Sequence, residues 1–372
     1  MDPHKVCCRN EECPARGQMG RGNIGVHSRK QRRYICHVCG QTFTESKGTV
    51  FYRLRYSAEF VAQIVTLLAY GCPVQAIVAA FGLDERTVAS WHSRAGKHCE
   101  EVHQHLVERP RDLGQVQADE LRVKCQGGIV WMAMALQVTT RLWLGGVVRA
   151  SRDHHLVTSL MEQVRRCARC RPLLFCIDGF AAYVSCIRQM FRTPVPTGQP
   201  GRPPFHAWEG VCIVQVIKQT ASKRVVGVLR RVAQGTQQQV NALLTHTQRS
   251  LQAHVCYIER LNATFRSRIV ALVRRGRALA RRIQPLHQAM YWVGTVGNFC
   301  APHRSLRLLL YLPNGRRHWV PRSPAMAAGI TDHIRTVQEV LAYRVPLPPW
   351  VPPKRRGRPS KKIKELINQW IL

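Results

Sequence analysis

Apolar residues recur in short runs, and in alternation with polar residues, along the stretch from residue 113 to about 305. Their spacing switches between the two-residue period of strands and the 3.6-residue period of helices. The predicted strands cover residues 115–120, 129–139, 142–149, 173–178, 211–217 and 224–230. Helices are predicted at residues 153–168 and 180–191, a Pro- and Gly-rich loop lies at 193–204, and two basic helices close the stretch.

This order predicts an α/β fold. Three antiparallel strands, a helix, a parallel strand and later helices form the sequence of elements of an RNase H-like mixed sheet with flanking helices. We assign this domain to residues 113–305.

Three short helices are predicted upstream, within a helix-turn-helix domain at residues 55–100. Ser57 can cap the first helix, Gly71 ends it, and Asp84 starts the third helix after a short second one. The third helix would present four polar residues to the major groove of DNA: Arg86, Ser90, Arg94 and Lys97. Any small three-helix packing unit could produce the same pattern, and Trp91 is expected in the core.

Residues 1–50 carry two cysteine pairs that predict a zinc ribbon. Four residues separate Cys8 from Cys13, two separate Cys36 from Cys39, and 22 lie between the pairs. Four thiolates at such spacing fit a tetrahedral Zn²⁺ site, which would supply folding free energy to a segment too short for its own core. Cys7 competes with Cys8 for the first position. A further pair, Cys167 and Cys170, has no matching pair nearby, and we expect ordinary packing there.

The charge of the chain indicates a polyanionic partner. Its 372 residues include 56 Lys and Arg against 21 Asp and Glu, a formal net charge of +35. Double-stranded DNA is the expected partner. No membrane association is expected, because the longest apolar run, residues 129–136, is too short to span a bilayer and the N-terminus is not a signal peptide. These features favour a cytoplasmic, nucleoid-associated protein.

Acidic residues are scarce in the 113–305 block, so their positions are informative. Asp119 and Asp178 lie at the ends of two predicted strands, and Glu259 lies on a helix that also carries Asn262 and Arg266. Three converging carboxylates can hold Mg²⁺ or Mn²⁺ for in-line phosphoryl transfer. Each has an ordinary alternative: Asp119 could be a solvated strand end, Asp178 a turn or helix cap, and Glu259 a surface acid.

At these positions the chain resembles the DDE transposases of bacterial insertion sequences, in particular the insertion sequence one family with an N-terminal zinc ribbon. The likeness covers roughly residues 8–305. The motifs that carry it are Cys8-x4-Cys13-Pro14, Tyr34-x-Cys36-x-x-Cys39-Gly40-x-Thr42-Phe43, Ala118-Asp119-Glu120, Asp178-Gly179-x2-Ala182-Tyr183 and Ile258-Glu259-Arg260-x-Asn262-x3-Arg266.

The resemblance implies that Asp119, Asp178 and Glu259 are the catalytic, metal-binding residues, with Glu120 easily mistaken for a ligand. It also implies that Arg260, Asn262 and Arg266 contact DNA or orient the site, and that a homo-oligomer assembles on DNA. The first cysteine pair departs from the tightest knuckle, which has two intervening residues. A DNA-binding regulator, or a metal-dependent nuclease that does not join strands, remains an alternative.

Two basic segments are expected to contact phosphates. Residues 266–282 read as a very basic helix. Residues 306–372 read as a basic, Pro-rich tail, in which Arg356 and Arg358 lie in a segment resembling an AT-hook that enters the minor groove. The alternative for this segment is a solvated basic tail.

Overall fold

A computed structural model describes residues 1–198, 201–222, 224–248, 250–273, 279–352 and 360–370. The AT-hook-like segment with Arg356 and Arg358 lies outside these residues. The chain divides into two compact units, one of Met1–Val61 with Leu341–Leu372 and one of Ala62–Val340.

Strands and helices are numbered in chain order. The strands are β1 (Ile24–Ser28), β2 (Arg33–Cys36), β3 (Thr42–Thr44), β4 (Gln115–Cys125), β5 (Gly128–Gln137), β6 (Trp143–Arg149), β7 (Leu173–Ile177), β8 (Arg192–Pro194), β9 (Phe205–Ala207), β10 (Val211–Ala221), β11 (Arg224–Gln234), β12 (Leu308–Tyr311) and β13 (Arg317–Val320). The helices are α1 (Ala58–Ala69), α2 (Val74–Phe81), α3 (Glu85–Leu106), α4 (His154–Cys167), α5 (Ala181–Met190), α6 (Gln237–Thr247), α7 (Cys256–Arg268), α8 (Ile283–Phe299), α9 (Pro324–Ala327), α10 (Val337–Ala342) and α11 (Lys361–Trp370).

The first unit joins the N-terminal segment to the C-terminal end of the chain. Strands β1, β2 and β3 form an antiparallel sheet over a small core that includes Tyr34 and Phe43. Trp370 of α11 packs against this core, and the Gln18 side chain donates a hydrogen bond of 2.9 Å to the Trp370 carbonyl oxygen. Part of the C-terminal region is therefore built into the same unit as the cysteine-rich segment.

The second unit contains a six-stranded mixed sheet in the order β11-β10-β7-β4-β5-β6. Strands β4, β5 and β6 form the predicted antiparallel meander, and β7 runs parallel to both β4 and β10. β7 is buried along its whole length, as expected of a central parallel strand. The prediction of a mixed α/β fold with flanking helices is confirmed.

Because side chains alternate between the two faces of the sheet along β4, Asp119 and Glu120 face different helices. Neighbouring residues of a strand point to opposite faces of the sheet. Glu120 points to the face that carries α5, which packs against α4, whereas Asp119 points to the face that carries α7. Helix α3 extends along α8, where Gly96 allows the close approach of the α8 backbone at Gln288.

Two helical expectations differ from the structure. The basic helix expected at 266–282 is not continuous, because α7 ends at Arg268 and a short 3-10 turn follows at Val270–Leu272. Burial of Ile269 and Leu272 accounts for the ending, since both apolar side chains turn into the core. The block also closes with α6, α7 and α8 instead of two basic helices, and α6 contains neither Lys nor Arg. The expected C-terminal tail contains the β12–β13 hairpin and three helices.

Candidate functional site

The four predicted cysteines of the ribbon converge. Their sulfur atoms lie within 4.8 Å of one another, with Cys8 and Cys39 3.6 Å apart and Cys13 and Cys36 3.8 Å apart. A tetrahedral zinc ion with bonds of about 2.3 Å would hold its sulfurs ~3.8 Å apart, so the spacing fits a four-thiolate ion. Cys7 is outside this group, which favours Cys8 as the first ligand.

Local backbone geometry brings these thiols together. Gly40 has φ of +70°, which lets the chain turn back so that its N–H donates to the Cys36 carbonyl oxygen at 2.8 Å. The Gly17 N–H donates to the Cys8 carbonyl oxygen at 3.0 Å. Burial raises the pKa of the Cys8 thiol to about 12, so without a cation this thiol stays protonated at neutral pH.

A second cluster lies where β4 and β7 run side by side. One oxygen each of Asp119, Glu120 and Asp178 lies within 4.8 Å of the others. Two of the three predicted carboxylates, Asp119 of β4 and Asp178 directly after β7, are therefore adjacent, because these two strands are parallel neighbours. The prediction that Asp119 ends its strand is wrong, since β4 stays paired with β5 as far as Cys125. The pKa of Asp119 is raised to about 6, first by burial and also by the nearby Asp178 and Glu259 carboxylates, against the lowering effect of the Glu120 N–H and Arg266.

Glu120 has its own partners on the α5 face. Arg152 donates to Glu120 Oε1 at 2.8 Å, and the Tyr183 hydroxyl donates to Oε2 at 3.3 Å. Its side chain is only 1% exposed, and burial, together with Asp178, raises its pKa to about 7 despite Arg152. Glu120 is therefore held by neighbouring side chains on a different face from the Asp119 carboxylate.

Asp178 also acts as a turn cap, which was the alternative role considered for it from the sequence. Its Oδ1 accepts the N–H of Phe180 at 2.9 Å in the turn before α5, and its Oδ2 accepts from Arg152 at 3.1 Å. The turn fixes the direction of the carboxylate, and Arg152 lies on the ring of Phe180, 4.3 Å from its centre. A turn cap and a metal ligand are compatible uses of one carboxylate.

Glu259 is the least enclosed of the predicted carboxylates. It lies in the first turn of α7 and forms an ion pair with Lys218 of β10. It does not belong to the close group of Asp119, Glu120 and Asp178, yet its charge acts on Asp119. Glu259 therefore faces the same region from the α7 side, at a greater separation.

Asn262 links α7 to the strand that carries Asp119. Its Nδ2 donates to Asp119 Oδ2 at 2.7 Å, and its side chain is almost completely buried. Its Oδ1 is buried and has no hydrogen-bond partner in the described part of the chain. A buried acceptor without a partner is costly, so this oxygen is available to a donor such as a metal-bound water or a substrate hydroxyl.

The residues predicted to contact DNA occupy different settings. On α3, Arg86, Ser90 and Lys97 are exposed and Arg94 is half-buried, while Trp91 is in the core as expected. On α7, Arg260 is exposed and Arg266 is half-buried.

Two further features bear on binding and packing. In the first unit, a groove of about 570 Å³ is lined by three cations, Arg33, Lys47 and Arg53, together with hydroxyl-bearing and apolar side chains. The pair Cys167 and Cys170 behaves as ordinary surface and core: Cys167 is buried and donates to the Leu144 carbonyl oxygen, and Cys170 is exposed.

Sequence reasoning missed the basic partners of the acidic cluster. Arg152 and Lys218 each pair with a carboxylate far away in the chain, 26 and 41 residues distant respectively. Neither stands in a recognisable motif. Tyr183 does belong to the motif that begins at Asp178, and its position in the first turn of α5 was the available signal for the contact with Glu120.

Comparisons with known proteins leave the family of this chain open. A scan of protein-family models finds no match, and a search of curated proteins finds no relative. None of the helices that the structure describes has the length and apolar character needed to cross a membrane.

Proposed function

We propose that this chain is a DDE transposase with an RNase H-like catalytic domain, and that Asp119, Asp178 and Glu259 are its catalytic carboxylates. The observation that carries the proposal is the approach of Asp119, midway along β4, to Asp178, which directly follows the end of the parallel strand β7. The hydrogen bond from Asn262 to Asp119 supports the assignment of Glu259, because it draws one turn of α7 to the same place.

The three carboxylates suit Mg²⁺ or Mn²⁺, since hard oxygen ligands are what these ions take. Two such ions would supply Lewis acidity to the attacking and leaving oxygens of a phosphodiester. Asp119 and Asp178 offer the closest pair of oxygens, and the turn at Phe180 holds the Asp178 carboxylate in place. The first group of cysteines, Cys8, Cys13, Cys36 and Cys39, would hold Zn²⁺ as a structural ion.

The proposed reaction has two transfers at phosphorus. Water attacks the phosphodiester at the end of the element, the P–O3′ bond breaks, and a free 3′-hydroxyl and a 5′-phosphate result. That 3′-hydroxyl then attacks a phosphodiester of target DNA and displaces its 3′-oxygen. Asn262 positions Asp119 for both steps, and the exposed Arg260 and the nearby Arg266 would meet the phosphates.

Duplex DNA is the proposed partner, through the exposed side of α3 and the cation-lined groove of the first unit. The net charge of +35 supports a polyanion of this size. Assembly of two or more copies on DNA, and residence at the nucleoid, belong to the same proposal.

A DNA-binding regulator is the second candidate. The observation that favours it is that Lys218 already pairs with Glu259 and Arg152 with Asp178, so that two of the three carboxylates are neutralised by the chain itself. A regulator would keep these ion pairs with DNA bound. A transposase would exchange them for divalent ions.

The test is cleavage and joining by the purified, zinc-loaded full chain. A supercoiled plasmid would carry the DNA that flanks the coding sequence on both sides, and nicked and joined products would be followed with Mg²⁺ or Mn²⁺. We expect joined products from the wild type and none from Asp119→Asn, Asp178→Asn or Glu259→Gln, all of which still bind the plasmid.

Glu162→Gln is the matched control, because Glu162 is an exposed acid on α4 outside the cluster, and it should leave both products unchanged. Binding without cleavage by the wild type would favour the regulator. Cleavage without joining would favour a nuclease.

A further inference from the structure

The β12–β13 hairpin has no part in the proposed chemistry, yet it exposes large apolar side chains. Leu308–Tyr311 pairs with Arg317–Val320 in an antiparallel ribbon that ends in a tight turn at Gly315, where φ is +74°. Its base is fastened by the His303 N–H, which donates to the Arg322 carbonyl oxygen at 2.9 Å.

The ribbon exposes large apolar side chains. Tyr311 is 69% exposed and Trp319 is 45% exposed. A two-stranded hairpin is marginally stable in water by itself, and aromatic rings left in solvent contribute little to holding it. Rings in such a position are typical of a surface that is covered when a partner binds.

Strand register places both rings on one face. Trp319 lies opposite Leu309 and Tyr311 lies opposite Arg317, and paired residues of an antiparallel ribbon share a face. The two residues are thus diagonal neighbours across the ribbon, a relation that places residues ~7–8 Å apart. The Arg307 guanidinium lies over the Trp319 ring, 4.0 Å from its centre.

The positive charge around the hairpin favours a negatively charged partner. From Arg260 to Thr331 the sequence contains no Asp or Glu, and it contains 13 Arg and no Lys. Five of these arginines, at positions 304, 307, 316, 317 and 322, lie in or beside the hairpin. A second copy of the chain would bring a surface of the same charge, which repels this one.

We propose that the aromatic face of the β12–β13 hairpin binds unpaired bases of a DNA strand. Tyr311 and Trp319 stack on bases, and Arg307 and Arg317 contact the flanking phosphates. The inference rests on the proposed function in one respect, namely that the partner is DNA. It extends that function by assigning a surface to any unpaired bases of that DNA.

The test is equilibrium binding of short labelled oligonucleotides to the zinc-loaded full chain, without added Mg²⁺ or Mn²⁺ so that no chemistry occurs. One probe is single-stranded and the other is the same sequence as a duplex. We expect Trp319→Ala and Tyr311→Ala each to weaken single-strand binding by ~5- to 150-fold, the effect of losing one stacked ring. Duplex binding should change by less than the single-strand effect.

Trp319→Phe keeps a ring and should keep most of the affinity, which separates stacking from misfolding. The matched control is Phe205→Ala, which removes another exposed ring that has an arginine, Arg192, over it at 4.5 Å. It should leave single-strand binding unchanged.

Unchanged single-strand affinity in both hairpin variants would overturn the proposal. An equal loss for duplex and single strand would also overturn it, because charge and not stacking would then dominate. Dissociation of an oligomer by Trp319→Ala, with single-strand affinity intact, would assign the hairpin to self-association instead. Because the assay requires no cleavage, loss of binding here is distinguishable from failure of the proposed transposase activity.

Discussion

Replacing Asn262 by leucine should separate the catalytic role of this residue from its role in packing. Asn262→Leu keeps the branching at Cγ and the number of heavy atoms in the side chain, and it removes the donor that holds Asp119 Oδ2 at 2.7 Å. It also removes a buried Oδ1 that has no partner in the described structure. These two changes have opposite effects on the free energy of unfolding.

The loss of the hydrogen bond and the removal of the unpaired oxygen largely offset each other in the free energy of unfolding, whereas nothing offsets the loss of the hydrogen bond in catalysis. A hydrogen bond to a charged group is worth about 1.5–3 kcal/mol, and an unsatisfied buried acceptor costs about 1–3 kcal/mol. We therefore expect the free energy of unfolding to change by no more than about 2 kcal/mol. Loss of a residue that orients a metal ligand lowers metal affinity or activity by ~10- to 100-fold.

Two measurements are needed on the same preparation. Chemical denaturation without divalent ions gives the free energy of unfolding, and Mg²⁺-dependent nicking of the plasmid gives the activity. Asn298→Leu is the matched control, because Asn298 is equally buried but both of its polar atoms are used, by the N–H and carbonyl oxygen of Trp143 at 2.9 Å each. It should destabilise the fold by ~2–5 kcal/mol, since it leaves two buried backbone groups unpaired, and leave the activity of the folded fraction unchanged.

A large loss of stability with normal nicking in Asn262→Leu would refute this reasoning. Asn262 would then be a packing residue, and its hydrogen bond to Asp119 would have no bearing on catalysis.

Three further predictions concern the ribbon, the pH response and the helix packing. Cys8→Ser should release zinc and unfold the first unit, whereas Cys7→Ser should keep the ion, as metal analysis by mass spectrometry will show. Burial lowers the pKa of His103 to about 4 from an ordinary 6.5, so the unfolded chain takes up a proton on this histidine at a higher pH than the folded chain does. The free energy of unfolding should therefore be unaffected by this group above pH 6.5 and should fall by about 1.4 kcal/mol per pH unit between pH 6.5 and pH 4. Denaturation at several pH values measures this slope. Gly96→Ala would place a Cβ 2.4 Å from a carbonyl oxygen of α8 and should lower stability by ~1–3 kcal/mol in thermal melts, whereas Gly297→Ala, which meets open space, should be nearly neutral.

The sequence predicted that Asp119 and Asp178 lie close together, although only Asp178 follows a strand end in the structure. Asp119 lies within a largely buried strand and Asp178 directly after one, and parallel neighbours bring such positions together. The four cysteines were predictable for a similar reason, because their spacing leaves little choice of geometry for a tetrahedral ion.

Contacts made by long side chains were not predictable in this way. Arg152 and Lys218 reach carboxylates on other elements, and nothing in the neighbouring residues indicates which way a flexible side chain extends. The end of α7 was missed because a run of arginines suits a helix, whereas burial of Ile269 and Leu272 decided the fold there. Tertiary burial outweighed local preference.

Anomalous scattering from crystals of the full chain with DNA and Mn²⁺ would locate the divalent ions and so test the proposed catalytic carboxylates. We expect manganese bound by Asp119 and Asp178, with Glu259 as a further ligand, released from its ion pair with Lys218. Glu120 should remain bonded to Arg152 and Tyr183. If no manganese binds at this cluster at saturating concentration, or if Glu120 and Asp178 hold it in place of Asp119, then Asp119, Asp178 and Glu259 are not the metal-binding set.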